Sequence, residues 1–193
     1  MFSLTLLLSL LLGLLMPAPT AAGLSPIASS IPVPTSAYSK DRIAWSETRK
    51  LNWEDFQASP EDGNPHHALT AANLAVDARC KDNKFYYEVK CVFLPGESWS
   101  KNKHSERLLA HEQLHFDLTE VHARQLRKKL RGIGNSCELM KTQLNTLVGA
   151  AFKEWKAEQE QFDKISRHGL DTDVQTEWAD TITQRLAALE AYK

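Results

Sequence analysis

The length, composition and charge of the chain exclude several classes of protein. Its 193 residues contain 23 Lys and Arg against 24 Asp and Glu, which gives a formal net charge of −1. Because the two signs are mixed and no basic face emerges, we do not expect a nucleic-acid-binding protein. About 150 residues remain after the N-terminal 40, which is enough for one domain with a hydrophobic core.

The N-terminal residues predict export from the cell. An apolar run over residues 4–16 is followed by Thr-Ala-Ala at 20–22, the pattern of a secretory signal peptide that covers residues 1–22. The run is short for a membrane span. An uncleaved anchor stays as an alternative because no Lys or Arg precedes the run. We expect a periplasmic or secreted protein.

The folded part of the chain is expected to begin near residue 41. Residues 23–40 are rich in Ser, Pro and Ala and predict a flexible linker. Residues 41–193 then form the domain, and they contain no segment that is long and apolar enough to cross a membrane. After cleavage of the signal peptide, no membrane span is therefore expected.

Two runs of alternating apolar residues, 72–78 and 85–91, predict an antiparallel hairpin. A polar Lys-Asp-Asn turn joins them, which pairs Cys80 near Phe85. The preceding loop is rich in Pro, Gly, Asp and Asn, and we expect its histidine doublet, 66–67, to be solvated.

The three cysteines of an exported chain allow one disulfide and leave one thiol. They are Cys80, Cys91 and Cys137. In the predicted hairpin Cys80 and Cys91 are about 20 Å apart, at about 3.3 Å per residue, which is beyond disulfide reach. A bridge from Cys137 to either strand cysteine is geometrically easier, and the sequence leaves both pairings open.

After Ser105 the apolar residues follow the period of a helix. Ser105 can cap the first helix, which should run to about Leu130, where Gly-Ile-Gly-Asn ends it. A second helix should begin near Ser136 and break around His168, and a third should follow Asp171 as its cap. Strands first and helices second predict an α+β fold: a small antiparallel β-sheet packed on the first helix, followed by two further α-helices.

The first helix contains His-Glu-Gln-Leu-His, the pattern of a zincin active-site helix. His111 and His115 lie one turn apart on the same face and can share a cation, while Glu112 can act as general base. A helical wheel places both histidines on the apolar face, with Glu112 at its edge. The alternative is a core helix with two hydrogen-bonded histidines, although burying two imidazoles and a carboxylate without a metal would be costly.

A catalytic zinc ion needs a third protein ligand and one open position. Glu120 is expected on the outer face, where it pairs with Arg124, and His122 lies about 10 Å along the axis from the second histidine. His168, at a helix break before glycine, is the best candidate for the third ligand. Asp117 is better placed to hydrogen-bond to a ligand histidine.

Several stretches together resemble a bacterial family known both as a domain of unknown function and as a predicted secreted zinc-dependent protease. The stretches are WSETRKLNWEDF, ALTAAN, CVFLPGESW, LLAHEQLHFDLTEVHAR and FDKISRHGLDTDVQTEW. The resemblance implies a zincin-like fold in which a small sheet lies against the catalytic helix. It also implies His111 and His115 as ligands, Glu112 as base and His168 nearby.

The chain departs from the pattern of that family at two positions. Phe162 stands where the family tends to have Tyr, and Ser166 stands where Thr is usual. Asp117 matches an aspartate of the family. If the tyrosine hydroxyl stabilises an oxyanion in the family, this chain lacks that contribution.

Together these observations predict an exported zinc metallopeptidase that acts on a peptide or protein substrate. Zn²⁺ would be held by His111, His115 and His168, and Glu112 would activate water for attack on an amide bond. The alternative is a non-catalytic binding protein of the cell envelope, with a structural metal site or none. Asp163 as a fourth ligand would favour the structural site, because such sites are closed by four protein ligands.

Overall fold

A computed structural model describes residues 42–193, so the predicted signal peptide 1–22 and linker 23–40 lie outside the described residues. The strands are β1 (Ile43–Ala44), β2 (Ala68–Leu69), β3 (Ala72–Lys81), β4 (Lys84–Phe93) and β5 (Trp99–Ser100). The helices are α1 (Glu106–Ile133), α2 (Cys137–Ser166) and α3 (Thr172–Ala188). Short 3-10 turns lie at Trp53–Asp55, Pro95–Glu97 and Glu190–Tyr192.

The predicted hairpin is confirmed as β3 and β4, which pair antiparallel with Cys80 opposite Phe85. Asp82 and Asn83 form the turn with φ angles of 50° and 57°. Two successive positive φ angles are what a two-residue hairpin turn needs, and Asp and Asn tolerate them better than most residues.

The remaining strands complete two small antiparallel sheets. β1 pairs with the other side of β4, which gives a three-stranded sheet in the order β1-β4-β3. β2 and β5 form a separate two-stranded sheet. Small antiparallel sheets followed by three helices confirm the α+β prediction.

The three helices begin and end close to the predicted positions. The Ser105 hydroxyl accepts a hydrogen bond from the backbone N–H of Leu108 at the start of α1, and the Asp171 carboxylate accepts one from Val174 at the start of α3. Each cap fixes where its helix begins. Within residues 42–193 no helix combines the length and the apolar character needed to span a membrane.

Helix α1 is the centre of the domain. One face packs against the three-stranded sheet and α2, in a cluster that includes Phe93, Phe116 and Leu126. The opposite face packs against α2 and α3, where Leu118 meets Phe162 and other buried residues. The histidine side of α1 is therefore covered by α2 and α3.

The expectation that Glu120 lies on an outer face of α1 is wrong. The residue is buried, and its carboxylate accepts hydrogen bonds from Arg124 at 3.0 Å and Arg127 at 2.8 Å. The expected pairing with Arg124 does occur. A helical wheel assumes one buried face, whereas α1 is enclosed on several sides. On the side of Glu120, Arg127 also donates to the carbonyl of Val89 in the sheet and to the carbonyl of Tyr192 near the C-terminus.

The disulfide joins Cys80 at the end of β3 to Cys137 at the start of α2. This is one of the two pairings that the sequence left open. Cys91 is a free, buried thiol, and burial raises its pKa well above the usual value. The bridge ties the start of α2 to the sheet, while the far end of α2 lies at the histidines.

Candidate metal centre

Helix α1 presents two imidazoles at one point. His111 and His115 are both buried, at 2% and 9% exposure, and their Nε2 atoms are 3.1 Å apart. Because they stand one turn apart on one face, the backbone fixes this proximity. The Phe162 ring packs against both, with ring centroids 4.7 Å from His111 and 5.0 Å from His115.

Helix α2 brings a carboxylate to the same point. Asp163 Oδ1 lies 3.0 Å from the Nε2 atom of His111 and 3.0 Å from that of His115. The three atoms therefore form a nearly equilateral triangle, and these residues are a group that could hold a metal ion. Ligands at the corners of a zinc tetrahedron are about 3.3 Å apart when zinc–nitrogen distances are about 2.0 Å. The observed spacing fits a small tetrahedral cation.

The tautomer of His115 can be deduced from its neighbour Gln159. The Gln159 Nε2 atom donates to the backbone carbonyl of His115 at 2.9 Å, which turns its Oε1 atom toward His115 Nδ1 at 2.5 Å. Since Oε1 only accepts, Nδ1 must donate. In neutral His115 the Nε2 atom then has a lone pair that faces Asp163, the orientation expected of a metal ligand.

The electrostatics of the group also show that positive charge is favoured at its centre. Burial raises the pKa of Asp163, but hydrogen bonds from His111 and His115 outweigh it and hold that pKa well below its usual range. Burial lowers the pKa of His115, yet Asp163 and the charge of Glu112 raise it above its usual value overall. Either a proton bound to the imidazoles or a bound cation would compensate the negative charge of Asp163.

His168 lies beside this group, next to Asp163. Its Nδ1 atom is 3.3 Å from Asp163 Oδ1, and its side chain is about half exposed, at 52%. Arg167 and His168 both have left-handed backbone angles, and the N–H of His168 donates to the carbonyl of Asp163. The chain thus turns back at the end of α2 and returns the imidazole to the carboxylate one turn earlier.

One cavity of about 320 Å³ is lined by Glu112 and by the metal-ligand candidates, which are His111, His115 and Asp163. Glu112 is buried, and its backbone carbonyl accepts a hydrogen bond from Thr70 beside β2. The exposed doublet of His66 and His67 also lines the cavity, and the His66 ring contacts His168 at a centroid distance of 5.1 Å. Apolar lining comes from Leu69, Leu108 and Trp155, among other residues.

The structure does not bring Asp117 to the histidines. Its carboxylate accepts hydrogen bonds from Trp45 at 2.6 Å and Gln113 at 2.8 Å, and Lys50 lies 3.3 Å away. Asp117 is two residues after His115, so it points about 200° round the helix, toward the N-terminal segment. It anchors that segment to α1.

His122 also lies outside the group of metal-ligand candidates. Its Nε2 atom is 2.7 Å from Glu158 Oε2, and Arg185 of α3 contacts the same carboxylate. Burial raises the pKa of Glu158, but the bonds from His122 and Arg185 lower it to about 2 overall. This cluster connects all three helices and supports the orientation of α2.

Comparison with protein families places this chain in a known group. Residues 46–169, well over half of the chain, match a family model described as "Bacterial protein of unknown function (DUF922)". The chain belongs to this family. The match within this DUF922 protein includes His111, His115 and Asp163 and ends at Gly169, before α3. Searches of curated proteins and of solved structures found no match.

Two contributions to the site of this DUF922 protein depend on tertiary packing. Asp163 was named from sequence only as a fourth ligand of a structural site, because no local pattern shows that α2 delivers it to the histidines. Gln159 was not singled out at all. Its spacing of four residues before Asp163, on the same face of α2, is the signal that could have suggested both.

Proposed function

We propose that this protein is a zinc-dependent hydrolase that cleaves peptide or other amide bonds. The proposal rests on the three atoms of His111, His115 and Asp163, which meet at 3.0–3.1 Å, with Glu112 in the same cavity. Two histidines and one carboxylate are typical protein ligands of catalytic zinc, whose fourth position stays open for water or substrate.

Asp163 is the preferred third ligand in this proposal, because its Oδ1 atom contacts both imidazoles. His168, the third ligand expected from sequence, contacts only the Asp163 corner of the triangle at 3.3 Å. It is half exposed and faces the cavity, where a substrate would also lie. If Asp163 is the third ligand, Asp163→Ala should lose zinc, and if His168 is the third ligand, His168→Ala should lose it.

The chemistry follows from the placement of Glu112. Zinc, when bound with an open position, lowers the pKa of water beside it to about 7 and polarises a substrate carbonyl. Glu112 would take the proton of the attacking water and pass it to the leaving amine. The apolar cavity lining would hold the substrate and exclude bulk water from the reacting carbonyl.

The test of this proposal is the Glu112→Gln variant, which removes the base and keeps the shape. We expect zinc binding to persist, while hydrolysis of unfolded casein or of a quenched-fluorescent peptide library falls by about 10²–10⁴-fold. Glu160→Gln is the matched control, because Glu160 lines the same cavity and is exposed on α2. Hydrolysis by Glu112→Gln within a few-fold of the unmodified protein would refute the mechanism.

A second candidate function is a non-catalytic envelope protein with a closed structural zinc site. The distance of 3.3 Å between His168 Nδ1 and Asp163 Oδ1 favours it, since His168 would add a fourth ligand to the group of His111, His115 and Asp163. The two functions differ in the fourth position. Cobalt substituted for zinc should change its absorption spectrum on adding acetohydroxamate if that position is open, and should not change if it is closed.

We also propose that the protein works in the periplasm or outside the cell. The signal-like residues 1–22 support this, and the Cys80–Cys137 disulfide suits an oxidising compartment. N-terminal sequencing of the protein recovered from a bacterial periplasm should begin near Gly23. Recovery of the intact N-terminus in the cytoplasm would contradict export.

A further inference from the structure

Two buried polar atoms beside the metal-ligand candidates have no hydrogen-bond partner in the described part of the chain. They are Nδ1 of His111 and Oε1 of Gln175. A buried polar group without a partner is destabilising and uncommon, so each such atom calls for a specific explanation. Here one atom can donate and the other can only accept.

Gly169, which has no side chain, lies against both His111 and Gln175. A methyl group at residue 169 would stand 3.0 Å from His111 Cγ and 3.1 Å from Gln175 Oε1. Gly169 also has a φ of +77°, which side-chain-bearing residues rarely adopt. The absence of a side chain at residue 169 therefore leaves room beside both His111 and the Gln175 amide.

The orientation of the Gln175 amide is set by α1. Its Nε2 atom lies 3.5 Å from the backbone carbonyl of Arg107, which can only accept, so Oε1 is the atom turned toward Gly169. Arg107 is one helical turn before His111 on α1. Gln175 thus contacts α1 at the level of the first histidine.

His115 already makes the ring hydrogen bond to a glutamine that His111 lacks. Gln159 donates through Nε2 to the carbonyl of His115 and accepts through Oε1 from His115 Nδ1. Metal-bound histidines usually donate the second ring N–H to an acceptor of this kind, which fixes the tautomer. The two histidines would therefore each have a glutamine acceptor from a different helix.

We propose that Gln175 is a positioning residue for the metal centre: its Oε1 atom accepts the Nδ1 proton of His111 and keeps the His111 Nε2 lone pair directed at the ion. A rotation of the Gln175 amide toward the imidazole, past Gly169, would form this hydrogen bond. The inference deepens the proposed function and rests on its zinc site. It assigns α3, which lies beyond the family match, a role in that site.

The first test measures zinc affinity by competition with a chromophoric chelator. Gln175→Met keeps the length of the side chain and removes the acceptor, and we expect zinc to bind about 10–100-fold more weakly. Gln175→Glu restores an acceptor and should bind within about threefold of the unmodified protein. Gln184→Met is the matched control, because Gln184 is exposed on the same helix. Unchanged zinc affinity in a folded Gln175→Met variant would overturn the proposal.

The second test reads the tautomer of His111 in the zinc-loaded protein, where Nε2 faces the ion and no longer donates to Asp163. NMR of protein with ¹⁵N-labelled histidine reports which ring nitrogen of His111 has the proton. We expect a slowly exchanging Nδ1 proton in the unmodified protein, and fast exchange of that proton in Gln175→Met. An unprotonated Nδ1 in the unmodified protein would overturn the role of Gln175 even if Gln175→Met fails to fold. Absence of zinc binding in the unmodified protein would instead refute the proposed function and the role of Gln175 with it, whereas bound zinc with an unprotonated Nδ1 would refute the role of Gln175 alone.

Discussion

Removing the Cys80–Cys137 disulfide should destabilise the protein by about 4 kcal/mol. The bridge closes a segment with a sequence separation of 57 residues. In the chain-entropy model, a loop of that length restricts the unfolded chain by about 14 cal/mol/K, which corresponds to about 4 kcal/mol at 25 °C. The folded state should change little, because Phe85 N–H still donates to the carbonyl of Asn135 next to the bridge.

The assay is urea unfolding of the Cys80→Ala/Cys137→Ala double variant. With a slope near 2 kcal/mol/M, the midpoint should fall by about 2 M. Cys91→Ala is the control that keeps the bridge. It removes a buried thiol that contacts the carbonyl of Phe116, and we expect a loss of about 1 kcal/mol. A loss below 1 kcal/mol in the double variant would refute the entropic reasoning.

Three further predictions concern residues around the metal-ligand candidates. Glu158→Gln should cost about 2 kcal/mol at neutral pH, allowing for partial exposure of the carboxylate. The pKa of Glu158 is about 2 in the folded protein against an ordinary value of 4.5. In acid-unfolding curves, the unmodified protein should therefore be more stable than Glu158→Gln above pH 4.5, and this difference should disappear as the pH falls toward 2. A difference that is independent of pH would contradict this. Phe162→Ala should cost about 3–5 kcal/mol in urea unfolding and weaken zinc binding, because the fully buried ring packs on both histidines; unchanged zinc affinity would show that the ring only fills space. Gly169→Ala should lose about 2 kcal/mol, since a positive φ and a 3.0 Å contact with His111 oppose the methyl group, and an unchanged melting temperature would contradict that constraint.

The features that sequence predicted well are those with local causes. The hairpin register follows from alternating residues around Asp82 and Asn83, whose φ angles a short hairpin turn requires. Ser105 and Asp171 cap α1 and α3 through their own side chains. The histidine pair needs only the period of one helix, which is why its convergence could be expected.

The features that sequence left open or misjudged depend on packing between distant segments. The partner of Cys137 is set by where α2 begins relative to the hairpin, which no local pattern encodes. Glu120 was expected in solvent because a helical wheel cannot show that α1 is enclosed on several sides. Asp163 joins the histidines only because α2 crosses α1 at that point, so its place beside both imidazoles required the fold.

The most direct test of the proposed metal centre is the zinc content of the purified mature chain, measured by elemental analysis after equilibration with zinc and removal of the excess. We expect one zinc per chain in the unmodified protein and in His168→Ala, and none in His111→Ala or Asp163→Ala. Loss of zinc in His168→Ala with retention in Asp163→Ala would make His168 the third ligand, as the sequence predicted. No bound zinc in the unmodified protein would contradict the account and leave α1 a core helix with two hydrogen-bonded histidines.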